Sequence, residues 1–397
     1  MEQKQIKQEG INLNSKKIQM YALKVLKNCP IPMEPQKIML IYIALGILDY
    51  FNSIDTYLNQ KEKQNLIDWI YSLQIFDDSE NSDGGFKGST FLGLPFHKSD
   101  FQAKNSHGNQ PEIISQEKGH IVYSYSAILS LLILGDDLKR VRKQNIIQHI
   151  KSIQLENGNI KSNFLSNYEA DLRFIYAAVV VSSLINDFSG LNLEKTVNFI
   201  LSCQNHQNGG FGLLPGLESH GGATYCALSS LKILNKLNLI QNKNKLIYWL
   251  VSRQNEYQEE DGNLQEKLDI VFSQKNQKTQ ENQAKITKIT GINGRTNKIP
   301  DSCYSFWVGT SLEILGFQSF LNSEKIEQFL QTCYLTEIGF SKYPFYQQPD
   351  PIHTLHSLYG LQQINSQNII NQQKNGQIQK INCVFGISEL KIPKFFN

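Results

Sequence analysis

The sequence lacks several features that would point to common classes of protein. Its net charge is only +3 and 19% of its residues are charged, so no basic surface for a nucleic acid is expected. The six cysteines form no CxxC pair and no signal peptide is evident, which favours a reducing compartment. The longest apolar run, Ile38 to Leu48, is too short to cross a bilayer. We therefore expect a cytoplasmic protein that is not transmembrane and has no nucleic-acid partner.

What the 397 residues do contain is a repeated unit. A helix that ends in Gln and runs into a glycine-bearing turn recurs every 50 residues at Gln154, Gln204 and Gln254, with further copies at Gln74 and Gln331. A second, more apolar helix follows each turn, and these helices open at His120, Asp171, His220, Asp301 and His353. Repeated helix pairs must stack to bury their inner faces. The pattern predicts an all-α fold, an α/α barrel (toroid) with a central funnel-shaped cavity, whose inner helices all start at one mouth.

The barrel is expected to span residues 1–365 as a single domain. Residues 257–290 are dense in Gln, Lys, Glu and Asn, and we predict that they form a disordered insertion. Residues 366–397 form a Gln/Asn-rich C-terminal extension, in which Val384, Phe385 and Ile387 could dock on the barrel. Between Thr90 and Gly119 we expect a long irregular loop. The spacing of apolar residues also predicts three N-terminal helices, at Ile18 to Cys29, Lys37 to Phe51 and Glu62 to Gln74.

The stretch Asp301-Ser302-Cys303-Tyr304-Ser305-Phe306-Trp307 carries candidate metal ligands. Pro300 and the helical spacing of the following apolar residues predict that Asp301 and Cys303 lie in the first turn of a helix. His353 opens another helix after a proline and supplies a third candidate. Three such ligands are the number that a catalytic zinc site takes, with one position left open. From spacing alone, an N-cap and a buried small residue would be the commoner explanation of Asp301 and Cys303.

Five blocks of sequence carry a resemblance to a known family. They are the stretch 301–307 above, Leu217-Glu218-Ser219-His220-Gly221-Gly222, Trp69-Ile70-Tyr71-Ser72-Leu73-Gln74, Gly135-Asp136-Asp137-Leu138 and Asp350-Pro351-Ile352-His353. They resemble the β subunit of protein prenyltransferases, most closely that of protein geranylgeranyltransferase type I, from about Lys17 to Gln363. The resemblance implies a zinc-dependent transferase that forms a heterodimer with an α subunit of helical hairpins. Such an enzyme transfers geranylgeranyl from geranylgeranyl diphosphate to the cysteine of C-terminal CaaX sequences, X often being Leu, on proteins such as Rho/Rac-type small GTPases.

The resemblance assigns Asp301, Cys303 and His353 as the ligands of one Zn²⁺, with the sulfur of the substrate taking the open position. A coordinated thiol is deprotonated, and the thiolate is the nucleophile that the reaction needs. His356, three residues on, is a rival to His353. The register of the following Gly360-Leu361 places the ligand at His353, and His356 then falls where the family has an aromatic residue that lines the isoprenoid pocket.

The diphosphate leaving group requires cations and hydrogen-bond donors where negative charge develops. His220, Arg295, Lys298 and Tyr304 resemble the residues that the family uses there. Without the resemblance, His220 would be a polar helix-start residue, and Arg295 and Lys298 would be solvated loop charges. Lys342, in Gly-Phe-Ser-Lys, matches a lysine of the type I enzymes, where farnesyltransferases carry an aspartate that recruits Mg²⁺. We therefore expect Lys342 to supply the positive charge and Mg²⁺ not to be required; the alternative is a surface lysine in a loop.

Three further residues receive roles from the resemblance. Arg173 resembles the arginine that helps to fix the C-terminal end of the peptide, and Trp307 resembles an aromatic residue of the lipid funnel, although plain core would explain it too. Met39 falls where farnesyl enzymes place Trp and geranylgeranyl enzymes a small Thr or Ser. Because Met is flexible and can repack, we expect the longer lipid to fit, with weaker discrimination than usual.

Other functions could give parts of this sequence pattern. A farnesyltransferase β subunit or a Rab geranylgeranyltransferase β subunit would belong to the same family. A terpene cyclase shares this kind of barrel but needs an acidic proton-donor cluster on an inner helix, whereas Asp77-Asp78 and Asp136-Asp137 fall in predicted loops. A non-catalytic scaffold would have no reason to keep three zinc ligands together with a basic cluster.

Overall fold

The computed structural model describes residues 11–75, 84–90, 118–166, 168–258, 263–273, 288–364 and 375–393, together with 369, 371 and 373. The helices in this part of the chain are α1 (Ser15–Lys27), α2 (Lys37–Tyr50), α3 (Ile54–Tyr57), α4 (Gln60–Ser72), α5 (Ile121–Ile133), α6 (Lys143–Ile153), α7 (Leu172–Leu184), α8 (Leu193–Ser202), α9 (Gly221–Ile233), α10 (Lys243–Val251), α11 (Leu264–Ser273), α12 (Tyr304–Leu315), α13 (Ser323–Cys333) and α14 (Pro351–Gln363). Four short strands pair as two antiparallel hairpins: β1 (Gln254–Glu256) with β2 (Thr290–Ile292), and β3 (Ile381–Asn382) with β4 (Ile387–Ser388).

Six helices form a closed inner ring. In chain order α2, α5, α7, α9, α12 and α14 each pack on the next, and α14 packs back on α2. Their sequences are apolar on nearly all sides; in α7 every residue except Arg173 is buried. A helix of this kind is stable only when it is enclosed on all faces. The predicted α/α barrel is therefore confirmed, and all six inner helices run in the same direction from one mouth.

An outer layer of amphipathic helices, α1, α4, α6, α8, α10 and α13, surrounds the ring. In α6 the isoleucines at 146, 147, 150 and 153 are buried together with His149, while Gln148 and Lys151 face solvent. This i, i+4, i+7 spacing gives one apolar stripe, which covers the inner helices. Burial of that stripe, rather than helix propensity, is what stabilises helices this short.

The glutamine that ends each repeat bonds to the next repeat. The side-chain oxygen of Gln154 accepts a hydrogen bond from the Asn192 N–H (2.7 Å), and that of Gln204 accepts one from the Gln241 N–H (3.1 Å). Gln254 accepts in the same way from the Asn322 N–H (2.9 Å). Each acceptor therefore holds the backbone beside the start of the following outer helix, where N–H groups lack helical partners. This bond explains why glutamine recurs at the 50-residue period.

The start of α12 differs from the prediction that Asp301 and Cys303 lie in the first turn of the helix. The helix begins at Tyr304, so Asp301 precedes it and Cys303 is its N-cap residue. The backbone N–H of Asp301 bonds to Ile292 O (3.0 Å) and that of Ser302 to Lys342 O (2.9 Å). These ties to neighbouring segments hold residues 301–302 outside the helix and fix the carboxylate of Asp301 at the mouth.

The observed starts of two helices near the N-terminus differ from the predicted starts by only a few residues. Asn14 accepts from the N–H of Lys17 and starts α1 at Ser15, and the capping box of Asn59 with Glu62 starts α4 at Gln60. Both helices begin a few residues earlier than the apolar spacing predicts, because side-chain caps extend them.

The predicted insertion contains a helix. Within 257–290 the structure has α11, whose Leu268 is 1% exposed, so the expectation of disorder is wrong for residues 264–273. Residues 259–262 and 274–287, and most of the loop predicted between Thr90 and Gly119, lie outside the described residues. The expected docking of Val384, Phe385 and Ile387 on the barrel is confirmed, since all three are buried. The domain boundary near 365 stays a prediction.

One helical stretch among the described residues, Ile31–Tyr50, is long and apolar enough to cross a membrane by length and composition alone. It consists of a 3₁₀ turn, Ile31–Gln36, and α2. Since α2 is enclosed between α5 and α14, it is a core helix of the barrel.

Candidate functional site

Three candidate ligands meet at the mouth of the barrel. Asp301, Cys303 and His353 each offer one ligand atom, and these atoms all lie within 4.8 Å of one another. The Nε2 atom of His353 is 3.3 Å from Oδ1 of Asp301. A carboxylate, a thiol and an imidazole at this spacing are the donor set that zinc takes. The burial of Cys303, with the negative charge of Asp301 beside it, raises the pKa of its thiol well above the usual range, so a cation is the missing partner that would favour the thiolate.

A second carboxylate orients His353. Asp350 is the N-cap of α14 and accepts from the backbone N–H of His353 through Oδ1 (2.9 Å), while its Oδ2 lies 2.6 Å from Nδ1 of the same ring. Nδ1 therefore carries a proton and donates it, which leaves Nε2 to face Asp301. Burial lowers the pKa of His353, and the hydrogen bonds to Asp301 and Asp350 raise it by more, to about 9. The residues present fit a zinc ion with a carboxylate-supported histidine ligand.

Lys342 lies beside this cluster. Its Nζ is 3.9 Å from Oδ2 of Asp301 and 4.9 Å from the centre of the Tyr343 ring. The side chain is 47% exposed, so the ammonium group borders both the candidate ligands and the open mouth. Its predicted position at the site, rather than on an outer surface loop, agrees with this geometry; its role in catalysis stays a prediction.

His220, the N-cap of α9, and Tyr304, the first residue of α12, form a pair at the mouth. Nδ1 of His220 accepts from the backbone N–H groups of Gly222 (3.0 Å) and Ala223 (3.4 Å). Burial and the charge of Arg295 lower the pKa of His220, so the neutral ring carries its proton on Nε2, which is 3.0 Å from the hydroxyl of Tyr304. His220 therefore donates to Tyr304, and the Tyr304 O–H is left to donate to a ligand at the mouth. Burial raises the pKa of Tyr304 well above its usual range, so this proton is retained.

The loop from Asn293 to Ile299 carries the two cations. Nη1 of Arg295 lies 3.7 Å from Oε2 of Glu218, a weak ion pair at the surface, and Lys298 is exposed. The buried guanidinium of Arg253 holds this loop, since it donates to Asn293 Oδ1 and to Thr296 Oγ1 (3.2 Å each). Arg295 lies near enough to His220 and Tyr304 for its charge to act on both rings, while a role of Lys298 beside an anion stays a prediction.

Gly294 is required where this loop meets Tyr304. A Cβ atom at position 294 would lie 2.0 Å from Cζ of Tyr304, and the Gly294 carbonyl accepts from the N–H of Gly221 (2.8 Å). Close approach of the backbone at this point therefore packs the cation-bearing loop directly against Tyr304 and the start of α9.

Below the ligands the barrel is lined by aromatic side chains. The ring of Trp307 lies 4.3 Å from that of His356 and 4.9 Å from that of Tyr225. His356 stacks on Phe306 (5.4 Å), and burial lowers its pKa to about 3. The neutral, half-buried His356 thus packs among aromatic rings one helical turn beyond His353; its contact with a lipid stays a prediction.

Arg173 and Met39 lie on inner helices farther round the ring. Arg173 donates to both carboxylate oxygens of Asp171 (3.0 and 2.7 Å) and remains half-exposed at the start of α7. Met39 is half-buried in the first turn of α2, next to α14, which carries His356. Both positions border the interior or the mouth. The role of Arg173 at the peptide and that of Met39 at the lipid stay predictions.

Sequence reasoning missed three residues of the site. Asp350 was not recognised as the partner of His353, although an aspartate three residues before a histidine ligand is a signal for it. Arg253 holds the cation loop through contacts that sequence spacing does not carry. His120 caps α5 as His220 caps α9, through Nδ1 and the N–H group two residues on, and the alignment of repeats could have paired them.

The acidic pairs that a terpene cyclase would need give no support to that function. Asp136 and Asp137 lie in the turn after α5, where Asp136 accepts from the Tyr71 hydroxyl and from the Leu138 N–H. Asp77 and Asp78 lie outside the described residues.

Comparisons with known proteins agree with this architecture. Residues 13–387 match the model of the prenyltransferase alpha-alpha toroid domain. The chain is 31% identical to the geranylgeranyl transferase type-1 subunit beta of Dictyostelium discoideum, over 89% of this chain and 91% of that protein. It is 28% identical to the subunit of the same name from Arabidopsis thaliana, over 82% and 77%. Beta subunits of type-2 and farnesyl enzymes match over smaller shares of the chain.

A solved structure shares the fold. Candida albicans protein geranylgeranyltransferase-I, complexed with GGPP, superimposes with a TM-score of 0.72 and 23% sequence identity, over 96% of this chain and 97% of that one. At this identity the likeness supports the toroid architecture.

Proposed function

The chain belongs to the prenyltransferase family, among the β subunits of protein prenyltransferases, and on that premise we propose that it is the catalytic β subunit of a type I protein geranylgeranyltransferase. The observation that carries the proposal is the convergence of Asp301, Cys303 and His353 within 4.8 Å, with Lys342 3.9 Å from Asp301. A thiol-activating metal and a fixed cation for a leaving group are the two elements that this transfer needs. The candidate ligands and Lys342 lie together at the mouth of the barrel, which supports the proposal.

In the proposed reaction a carbon–sulfur bond forms between the acceptor cysteine and the first carbon of the isoprenoid. The carbon–oxygen bond to the diphosphate breaks, and the diphosphate leaves with the electron pair. Zinc, when bound by Asp301, Cys303 and His353, would supply the positive charge that keeps the acceptor sulfur deprotonated. Asp350 holds the ring of His353 in the orientation that a ligand requires.

Side chains at the mouth would donate hydrogen bonds to the diphosphate leaving group and neutralise its charge. Tyr304 keeps its proton and has its oxygen satisfied by His220, so it can donate to a diphosphate oxygen. Arg295 and Lys298 would bring two positive charges, and Lys342 would bring a third beside the candidate metal ligands. An ammonium at this position does what Mg²⁺ would otherwise do, which is to neutralise charge as it develops. We therefore propose that Mg²⁺ is not required.

The remaining assignments follow from the same family. We propose an α subunit as heterodimer partner, geranylgeranyl diphosphate as lipid donor and cytoplasmic CaaX proteins, such as Rho/Rac-type small GTPases, as acceptors. Arg173 would fix the carboxyl end of the peptide, while Trp307 and His356 would contact the lipid.

The test is purification of the chain with a coexpressed α subunit, followed by metal analysis and transfer assays. We expect one zinc per heterodimer and transfer of geranylgeranyl to peptides ending in Leu in preference to Met or Ser. Cys303→Ala should lose zinc and activity. The matched control is Cys333→Ala, a buried cysteine of α13, which should keep both. Likewise, His353→Ala should lose zinc and His356→Ala should retain it.

Three outcomes would contradict the proposal. Full activity of the isolated chain would exclude the heterodimer. Retention of zinc by His353→Ala with its loss in His356→Ala would move the ligand one turn along α14. A preference for farnesyl diphosphate together with a strong Mg²⁺ requirement would favour a farnesyltransferase β subunit, and activity only on Rab-type acceptors would favour the type-2 enzyme.

A further inference from the structure

A buried arginine packs against the cation loop, residues 293–299. Arg253 is 5% exposed and follows the last residue of α10 by two positions. The antiparallel register of β1 and β2 pairs Gln254 with Ile292. The next pair along the two segments is therefore Arg253 and Asn293, and the N–H of Asn293 donates to the Arg253 carbonyl (2.9 Å). The hairpin thus fixes the arginine opposite the first residue of the loop.

The hydrogen bonds of the Arg253 guanidinium all end on neutral acceptors. Nη1 donates to Oδ1 of Asn293 and to Oγ1 of Thr296 (3.2 Å each), Nη2 to Oγ of Ser252 (3.2 Å) and Nε to the carbonyl of Trp249 (3.1 Å). That carbonyl belongs to the last turn of α10, where carbonyl groups lack helical partners. The planar group also lies over the indole ring of Trp249, 4.9 Å from its centre. These contacts fix the orientation of the guanidinium but supply no negative charge.

The charge of Arg253 has no ion-pair partner among the residues that the structure describes. The one carboxylate that acts on it is Glu218, whose charge raises the pKa of Arg253 while burial lowers it by more. Glu218 is itself 54% exposed and lies 3.7 Å from Arg295. Two arginines therefore share one solvated carboxylate. Since a buried charge without a partner is costly, this region carries an excess of positive charge that a bound anion would offset.

The contacts of Arg253 extend through Asn293 to the far side of the cation loop. While Oδ1 of Asn293 accepts from Arg253, its Nδ2 donates to the Lys298 carbonyl (2.8 Å). Asn293 is 3% exposed, so this pair of bonds is shielded from water. The loop is thus joined across its base between residues 293 and 298 and is held at Thr296 in between. Arg295 and Lys298 therefore extend from a backbone whose shape Arg253 maintains.

The same loop contacts the hydrogen-bond donors at the mouth. The Gly294 carbonyl accepts from the N–H of Gly221 (2.8 Å), the first residue of α9. The Gly294 backbone also lies so close to the ring of Tyr304 that no Cβ would fit between them. The charge of Arg295 lowers the pKa of both His220 and Tyr304. Displacement of the loop would therefore disturb its own cations and this pair of side chains together.

We propose that Arg253 is a positioning residue for the diphosphate, which it serves by holding the cation loop in shape and by presenting a buried charge whose counter-ion is the diphosphate itself. The inference rests on the proposed function, because the diphosphate is that of the proposed reaction. Arg253 acts through Asn293 and Thr296 and through its field. A charge that is fixed before the reaction stabilises the developing negative charge without any rearrangement. Arginine suits this position better than lysine, because its planar fork reaches several acceptors at once.

The test uses the heterodimer with Arg253→Met, which removes the charge and the fork but keeps an unbranched side chain. Inorganic pyrophosphate is the probe, measured as an inhibitor of transfer, together with kcat, the KM of each substrate and the zinc content. The inhibition constant of pyrophosphate and the KM of geranylgeranyl diphosphate should each rise about tenfold, the effect of one charge at an intermediate dielectric. The KM of the peptide acceptor and the zinc content should not change.

Two further variants complete the experiment. Arg253→Lys keeps the charge but not the fork, so it should recover most of the affinity for pyrophosphate while kcat stays low. Arg140→Met is the matched control. Arg140 also lies over an aromatic ring, 4.2 Å from the centre of Tyr71, but it pairs with Asp68 (2.7 Å) and follows α5 at the end away from the mouth. This variant should inhibit and react as the wild type does.

The outcomes separate this inference from the proposed function. A wild-type heterodimer that transfers no isoprenoid would overturn the proposed function. If the wild type is active and the folded Arg253→Met variant keeps the wild-type affinity for pyrophosphate, only this inference fails. It also fails if Arg253→Met and Arg253→Lys lose equal affinity, or if the KM of the peptide rises by the same factor. Should Arg253→Met not fold, Arg253→Gln removes the charge and keeps an amide donor, and an unchanged affinity there overturns the inference equally.

Discussion

Replacing Asp350 by Asn tests whether His353 is a ligand held by a second carboxylate. The asparagine oxygen can still accept from the N–H of His353, so the cap of α14 is kept. The charged oxygen that lies 2.6 Å from Nδ1 is lost, and with it the group that fixes the tautomer and the orientation of the ring. The helix should therefore stay folded while the metal site weakens.

The size of the effect follows from the exposure of Asp350. Outer-shell partners of a histidine ligand contribute about 10- to 100-fold in metal affinity, or about 1.4–2.7 kcal/mol. The side chain of Asp350 is 42% exposed, so solvent screens its charge. We expect the lower end of the range, about a tenfold loss of zinc affinity.

The assay is zinc competition against a chromophoric chelator, carried out on the heterodimer, with the unfolding midpoint measured in parallel. Asp171→Asn is the matched control, because Asp171 caps α7 in the same way and its carboxylate pairs with Arg173 instead of a candidate ligand. That variant should bind zinc as the wild type does. Equal affinities of Asp350→Asn and wild type, or equal losses in the two variants, would refute the reasoning.

Three further predictions address lipid length, the leaving group and pH. Met39→Trp should shift the preference towards farnesyl diphosphate in competition assays, and an unchanged preference would remove Met39 from the pocket. Lys342→Asp should slow transfer and make it respond to millimolar Mg²⁺, whereas the wild type should tolerate brief EDTA treatment; a wild type that needs Mg²⁺ would contradict the role of Lys342. Burial lowers the pKa of His120 to about 4, so the native state loses stability as pH falls from about 6.5 towards 4, where the unfolded state binds more protons. Urea unfolding of His120→Asn, which keeps a capping side chain, should show a loss smaller by up to about 3 kcal/mol; the same loss in both proteins would mean that His120 is solvated.

Much of the fold could be predicted because its signals are local. The closing glutamine, the glycine turn and the apolar inner helix recur at a fixed period, and each is caused by contacts within one repeat or with the next. The start of α12 could not be predicted, because backbone bonds from Asp301 and Ser302 to distant segments override the helix-start signal of Pro300. Nor could α11, since its formation within a Gln- and Lys-rich stretch depends on the burial of Leu268 against the rest of the fold.

Part of the candidate site could likewise be predicted from the sequence, and part could not. Asp301, Cys303 and His353 open neighbouring inner helices, so repeat register alone brings them together. Asp350, which orients His353, stands three residues before it, so the sequence carries a signal for this contact. Arg253 holds the loop of the two cations through side-chain contacts that spacing does not encode. The inner-helix tyrosines Tyr125, Tyr176 and Tyr225 are intermediate. They share one register in their helices, but the C-terminal hairpin to which Tyr176 and Tyr225 donate comes from the far end of the chain.

The closed ring of inner helices has a consequence for how the chain is made. An open array of repeats can grow from any nucleus, and its ends can fray and reform independently. Here the contact between α2 and α14 brings together residues that are far apart in sequence, such as Gly46 and Tyr359, which are separated by 313 positions. Ring closure over such a span is entropically costly and slow, and it cannot occur until α14 has left the ribosome. The half-built barrel therefore exposes the apolar faces of its inner helices throughout synthesis, and the protein should depend on chaperones in the cell until its last repeat arrives.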